Sequence, residues 1–257
     1  MQLDDAYANA AYIPGGADYP DRWAAEAAAF RTSALCEVDL AYGESTRQRY
    51  DLFHPDRLAK GVVIFVHGGY WLRFDKSFWS HLAAGPLAQG WAVAMPSYDL
   101  CPDVGIAQIG DQIARAIGVI ADRVPGPVRL VGHSAGGQLV ARMTSPRPGA
   151  RWQNRLARVL PISPVADLAP LMQTSMNADL GITHDVATSE SPVHLPTPDV
   201  PVTIWVGGAE RPAFLEQAGL LAQAWDALLV VAPERHHFDV IAELAEADSV
   251  LTRAVLA

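Results

Sequence analysis

Six short, almost wholly apolar runs punctuate this chain: Val62–Val66, Trp91–Met95, Val128–Val131, Val159–Ile162, Val202–Val206 and Leu228–Val231. Successive side chains of a strand point to opposite sides, so a strand wetted on one face alternates apolar and polar residues. A continuous apolar run is what a strand needs when both faces are covered. Helical patterns lie between most of the runs. The clearest sets Ile106, Ile109, Ile113, Ile117, Ile120 and Val124 on one face at three- and four-residue steps. Such alternation builds a mostly parallel sheet with helices on both sides, so the expected fold class is α/β. A chain of 257 residues, half of them hydrophobic, can bury one core of this kind. With no repeat or linker to divide it, 1–257 is expected to be a single domain.

Three segments stand outside the alternation. Residues 1–33 form an N-terminal segment, with Pro14-Gly15-Gly16 and Tyr19-Pro20 as breakers and an Ala-rich helix over Arg22–Phe30. Glu37–Tyr42 and Gln48–Phe53 flank a turn at Gly43-Glu44-Ser45 and read as an antiparallel hairpin at a sheet edge. Residues 163–201 hold no confident strand over roughly forty positions, far longer than an ordinary connection. Ligands of open parallel sheets bind beyond the carboxyl ends of the strands, so this insertion is expected to form a cap or pocket wall.

Gly132-His133-Ser134-Ala135-Gly136-Gly137 joins the run Val128–Val131 to a helical stretch from Gln138 to Met143. Gly-x-Ser-x-Gly between strand and helix is the nucleophile elbow pattern, in which Ser134 projects its hydroxyl beyond the sheet. A Cβ at Gly132 or Gly136 would meet the neighbouring backbone of so tight a turn. His67-Gly68-Gly69-Tyr70-Trp71 follows the run Val62–Val66, and its glycines let backbone N–H groups of Gly68 or Gly69 approach an oxyanion. Tyr70 is a further candidate donor there, and the N–H of Ala135 would be the second arm. His67 sits on the wrong element for a base and is expected to be structural.

The run Val202–Val206 leads into Gly207-Gly208-Ala209-Glu210, which sets Glu210 at a strand end where an orienting carboxylate belongs. Asp185 and Asp199 are weaker alternatives, because neither follows a core strand. After Leu228–Val231 come His236 and His237, and then a terminal helix. His237 is favoured as base because Phe238 beside it can anchor the loop, with His236 as the alternative. His133 is expected to pack beside the sheet, and His54, His81, His184 and His194 to be surface or packing residues. The order Ser134, Glu210, His237 is that of the α/β-hydrolase arrangement among serine hydrolases. The base acts as neutral imidazole, so activity should fall in acid.

A net charge of −9 speaks against nucleic acid and anionic membranes as partners. No apolar run is long enough to cross a bilayer. Cys36 and Cys101 make no disulfide framework, and no histidines have ligand spacing, so neither metal nor cofactor is expected. Met1-Gln2-Leu3-Asp4-Asp5 lacks the basic start and apolar core of a signal peptide. A cytoplasmic enzyme with a small-molecule substrate is the expectation, and homo-oligomerisation is compatible with it.

Together these motifs resemble the kynurenine formamidase group of α/β hydrolases. The resemblance is carried by His67–Trp71, the elbow, Asp167–Leu171 leading to Thr174-Ser175-Met176-Asn177, and Val206–Pro212 with Phe214 and Gln217. His237-Phe238, Ala6-Tyr7-Ala8-Asn9 and Arg22-Trp23 extend it over nearly the whole chain. Tyr70 stands where related lipases and esterases usually have a third Gly, and Glu210 where many relatives have Asp. The resemblance implies hydrolysis of N-formyl-kynurenine to kynurenine and formate, with Ser134, Glu210 and His237 as triad. It also implies that Asn177 hydrogen-bonds a polar substrate tail. Tyr70, Trp71 and Phe74 follow the oxyanion loop and could stack on a flat ring, or else serve as ordinary core aromatics. A short-chain carboxylesterase or thioesterase would use the same machinery, and the rival outside catalysis is a ligand-binding module on this fold.

Overall fold

The computed structural model describes residues 3–257; Met1 and Gln2, the start of the N-terminal segment, lie outside the described residues. The strands are β1 (Cys36–Ala41), β2 (Arg49–Phe53), β3 (Val62–Val66), β4 (Ala92–Pro96), β5 (Val128–His133), β6 (Leu156–Ile162), β7 (Thr203–Gly207) and β8 (Leu228–Ala232). The helices are α1 (Tyr19–Ser33), α2 (Ala84–Ala88), α3 (Ile106–Arg123), α4 (Ala135–Arg142), α5 (Asn177–Leu180), α6 (His184–Glu190), α7 (Pro212–Trp225) and α8 (Val250–Leu256).

Among the described residues the strands form one sheet in the order β1-β2-β4-β3-β5-β6-β7-β8. The hairpin β1–β2 is antiparallel and β2 joins β4 antiparallel, while β3 to β8 pair in parallel. The mostly parallel sheet with its edge hairpin is what the patterning predicted, and it is the α/β-hydrolase fold to which the order of the motifs pointed.

The apolar run of β3 serves both faces of the sheet. Val62, Ile64 and Val66 pack in one cluster with the isoleucine face of α3. Val63 and Phe65 point the other way, into a cluster with Trp23 of α1 and Leu251 and Val255 of α8. Each such side chain withdrawn from water contributes about 1.5–3 kcal/mol, which sets the sheet's double coverage as the main source of stability.

Two boundaries differ from expectation. Helix α1 begins at Tyr19, so Pro20 is no breaker: it lies in the first turn, where its missing N–H has no intrahelical partner to lose. The last helix does not follow His237 directly; a short 3-10 turn, Ala242–Ala245, intervenes before α8. As expected, residues 163–201 contain no named strand, only α5, α6 and 3-10 turns. No helix is long and apolar enough to cross a membrane, among the described residues.

Candidate active site

Parallel pairing aligns Val66 of β3 with Gly132 of β5, so the chain leaves both strands side by side. At the elbow, Ser134 has φ 56° and ψ −116°, a left-handed strain that a non-glycine residue tolerates only when its surroundings impose it. They do so here. The Ser134 N–H donates to the Ile162 carbonyl at 2.8 Å, and the flanking glycines let three backbones meet. A Cβ on Gly132 would lie 2.1 Å from the Gly136 carbonyl oxygen, and one on Gly136 would lie 2.0 Å from that of Val66.

The adjoining loop brings its backbone against the serine. A Cβ on Gly68 would come within 2.9 Å of the Ser134 Cβ, so only glycine permits this approach. Ala135 opens α4, and the N–H of a first helical residue has no acceptor within its helix. Gly68 and Ala135 thus flank Ser134, and Gly69 lines the same cavity. Tyr70 and Trp71 both take left-handed backbone conformations, φ 54° and 58°. The Tyr70 hydroxyl donates to the Tyr7 carbonyl at 2.7 Å and the Cys101 N–H to the Trp71 carbonyl at 2.9 Å, which holds the loop in that form. His67 acts from beneath: its Nδ1–H donates to the Gly68 carbonyl at 2.8 Å and its ring stacks on Tyr98 at 4.4 Å. Burial pushes its pKa down to about 4, so it is a neutral prop.

Strand β7 delivers Glu210 and the segment after β8 delivers His237. The two carboxylate oxygens of Glu210 have separate duties. Oε1 accepts from the Gly207 N–H at 2.8 Å and from the Ser163 hydroxyl. Oε2 faces His237 Nδ1 at 2.6 Å. A carboxylate can only accept, so Nδ1 carries the hydrogen and the Nε2 lone pair is left for the pocket, where Ser134 and His237 both face. His237 is buried and its ring also packs on Phe214 at 4.1 Å. His236 is engaged elsewhere: Nε2 lies 3.0 Å from the Tyr19 hydroxyl, and Nδ1 accepts from the Phe238 and Asp239 N–H groups. The structure therefore sets His237, and not His236, on the carboxylate. Asp185 and Asp199 are exposed, on α6 and a surface loop.

A cavity of about 550 Å³ opens on Ser134 and His237. Tyr70 and Phe74 line it, together with Trp23 and Trp79. Trp71 does not. It is fully buried in the core below, because the left-handed turn at Tyr70 and Trp71 points the indole inward. Asn177 also leaves the cavity wall. Its amide closes its own loop, donating to the Ile182 carbonyl at 3.1 Å and accepting from the Ile182 N–H at 2.8 Å, so it is committed locally. From the 163–201 insertion only Ser175 and Met176 reach the cavity.

The Alpha/beta hydrolase family model matches residues 63–255. This chain belongs to the alpha/beta hydrolase family. The hydrolase is 30% identical over 239 residues to the kynurenine formamidase of Drosophila melanogaster, covering 83% of this chain and 78% of that protein. It is 26% identical over 244 residues to the kynurenine formamidase of Danio rerio, covering 85% and 80%. A solved structure from Silicibacter sp. TM1040, provisionally described as a thioesterase, matches it at 54% identity with TM-score 0.98 over 100% of both chains. These relatives agree with the group to which the motifs pointed, and they make the protein an enzyme of the serine-hydrolase type.

Sequence reasoning missed several parts of the hydrolase's site. Ser163, at the end of β6, donates to Glu210; its only signal was its place directly after a core strand. His133 donates from Nε2 to the His237 carbonyl at 2.9 Å and so holds the backbone of that residue. The N-terminal segment is the largest omission. Tyr7, Asn9, Gly16, Pro20 and their neighbours line the cavity. The segment is fastened by the Tyr7 hydroxyl, which accepts from Gln217 at 2.9 Å, and by Arg211, which holds Asp5 at 2.8 Å and lies over the Tyr12 ring at 3.6 Å. Its small residues carry no periodicity, so nothing local announced the role.

Proposed function

We propose that this hydrolase cleaves aryl formamides, with N-formyl-kynurenine as the substrate that best fits the site. The observation that carries the reading is the aromatic-walled cavity standing directly on Ser134. A flat ring finds stacking partners there, and the formyl group is the smallest acyl group that a crowded elbow can accept. Similarity to kynurenine formamidases over most of the chain supports it.

In this reading Ser134 Oγ bonds to the formyl carbon as its proton passes to His237 Nε2. The carbonyl π electrons move onto oxygen, where N–H groups of Gly68 or Gly69 and of Ala135 receive them, each donor worth roughly 10²–10³ in rate. The C–N bond then breaks, and His237 returns the proton to the departing arylamine. Water, deprotonated by the same imidazole, attacks the formyl ester and releases formate and Ser134. Glu210 keeps the proton on Nδ1 and steadies the imidazolium.

A second reading, a short-chain thioesterase or carboxylesterase, is favoured by the 54% identical structure, which is described as a thioesterase. Turnover of N-formyl-kynurenine, p-nitrophenyl acetate and a short acyl thioester should be compared on one preparation. The formamidase reading expects the highest kcat/KM for N-formyl-kynurenine. A preference of several decades for the ester or thioester would transfer the protein to the second reading.

A further inference from the structure

The cavity wall is mostly apolar, yet among the described residues it holds two polar groups without a protein partner, the Arg73 guanidinium and the Oδ1 of Asn9. Arg73 is exposed at the cavity, and its guanidinium has no ion pair or hydrogen bond among the described residues. Asn9 is only 7% exposed, lines the same cavity, and its Oδ1 has no hydrogen-bond partner. A buried acceptor without a donor is uncommon in a native structure and points to a group that arrives from outside.

The backbone of Arg73 is fixed relative to the reacting centre. The N–H groups of Leu72 and Arg73 donate to the Gly69 carbonyl at 3.0 and 3.1 Å, which closes a tight turn from the oxyanion loop. An anion held by this guanidinium therefore lies within one side chain's reach of the loop that carries Gly68 and Gly69. Arginine remains charged at any working pH and matches a carboxylate with two parallel hydrogen bonds. Among the described residues the other charged one lining the cavity is Asp4, whose carboxylate receives the Ser175 N–H at 2.5 Å. In a chain of net charge −9, a cation at the cavity selects for what the remaining surface repels.

We infer that Arg73 is a specificity residue that binds a carboxylate on the substrate, while Asn9 accepts an N–H from the same molecule. The inference rests on the aryl-formamide reading only for the identity of the ring. It assigns the substrate class more narrowly: an anionic aryl compound whose carboxylate lies at the cavity mouth and whose acyl group lies at Ser134. Binding energy spent on this remote carboxylate orients the reacting carbonyl.

Kynurenine and kynuramine, which differ only in the carboxylate, separate the possibilities. Their affinities can be measured by calorimetry on wild-type protein and on the Arg73→Met, Arg73→Lys and Asn9→Ala variants. The wild type should prefer kynurenine by about tenfold or more. That ratio should collapse towards one in Arg73→Met and return in part in Arg73→Lys, while Asn9→Ala weakens both ligands. Equal wild-type affinity for the two compounds, or a ratio that survives Arg73→Met, overturns the assignment of Arg73. Unchanged binding in Asn9→Ala overturns that of Asn9. If kynurenine binds through Arg73 but N-formyl-kynurenine is not turned over, the formamidase reading falls and the carboxylate site stands. If N-formyl-kynurenine is turned over without any carboxylate preference, the formamidase reading stands and the carboxylate site falls.

Discussion

His133 donates its Nε2–H to the main-chain oxygen of His237 at 2.9 Å, and the two ring centroids lie 4.7 Å apart. One imidazole of the elbow thus holds the backbone of the other. Burial, with the neighbouring His237 adding to it, keeps the His133 pKa well below its ordinary value, so the prop adds no second cation beside the candidate base.

Replacing this prop should loosen His237. His133→Ala is expected to lower kcat by about tenfold, the cost of roughly one hydrogen bond, with little change in KM. His133→Gln, whose amide can donate to the same carbonyl, should recover part of the loss. Steady-state kinetics on the best substrate of the panel would check it, and a loss confined to KM would contradict the positioning role.

Glu210 is held by Gly207, Ser163 and His237, and removal of these contacts should be graded. Glu210→Gln keeps the shape but frees the imidazole to take the wrong tautomer, so kcat should drop by about 10³–10⁴. Ser163→Ala removes only the hydroxyl that donates to Oε1 and should cost about tenfold or less. Equal losses in the two variants would mean that the carboxylate acts through Ser163 rather than through His237.

Ser134 combines reactivity with backbone strain. Ser134→Ala should abolish both turnover and covalent labelling by a fluorophosphonate. At φ 56°, Ser134→Gly should be the more stable of the two inactive variants by about 1 kcal/mol, a melting difference of about 2–4 °C. Differential scanning calorimetry decides the order, and an alanine variant that melts higher would argue against strain at the elbow.

Acid should destabilise the fold through its buried neutral histidines. His67 drops from an ordinary value of 6.5 to about 4 in the folded state, and His133 is depressed as well. The unfolded chain binds these protons first, so stability is complete above about pH 6.5 and declines as the pH falls towards 4. The His67 contribution alone is on the order of 3 kcal/mol. Urea titrations at pH 7.5, 6, 5 and 4 should show the decline, with a shallower slope in His67→Gln. A pH-independent midpoint over that range would contradict it.

Much of the fold was legible because it depends on local pattern. The run at Val62–Val66 is apolar on both faces, and both faces are indeed covered. The elbow was legible because the crossing of backbones at Gly132 and Gly136 excludes a side chain. Pro20 misled, since the same residue that stops a helix from within is at ease in its first turn. Trp71 misled for another reason: adjacency to the oxyanion loop says nothing about direction, and the left-handed backbone there turns the indole into the core. Asn177 was spent on its own loop.

The amino-acid sequence by itself determined the order of strands and helices, the strained serine between β5 and α4, and the kinds of residue that could serve it. These follow from periodicity and from short-range sterics, which act between neighbours along the chain. Only the tertiary structure decided which of two adjacent histidines meets Glu210, which aromatic rings face the cavity, and that the N-terminal segment covers it. Those outcomes rest on contacts between residues far apart in the chain, such as Tyr7 with Gln217 and Tyr19 with His236. Side-chain direction at a loop is set by what packs against it, and that partner is absent until the sheet has brought the distant segments together.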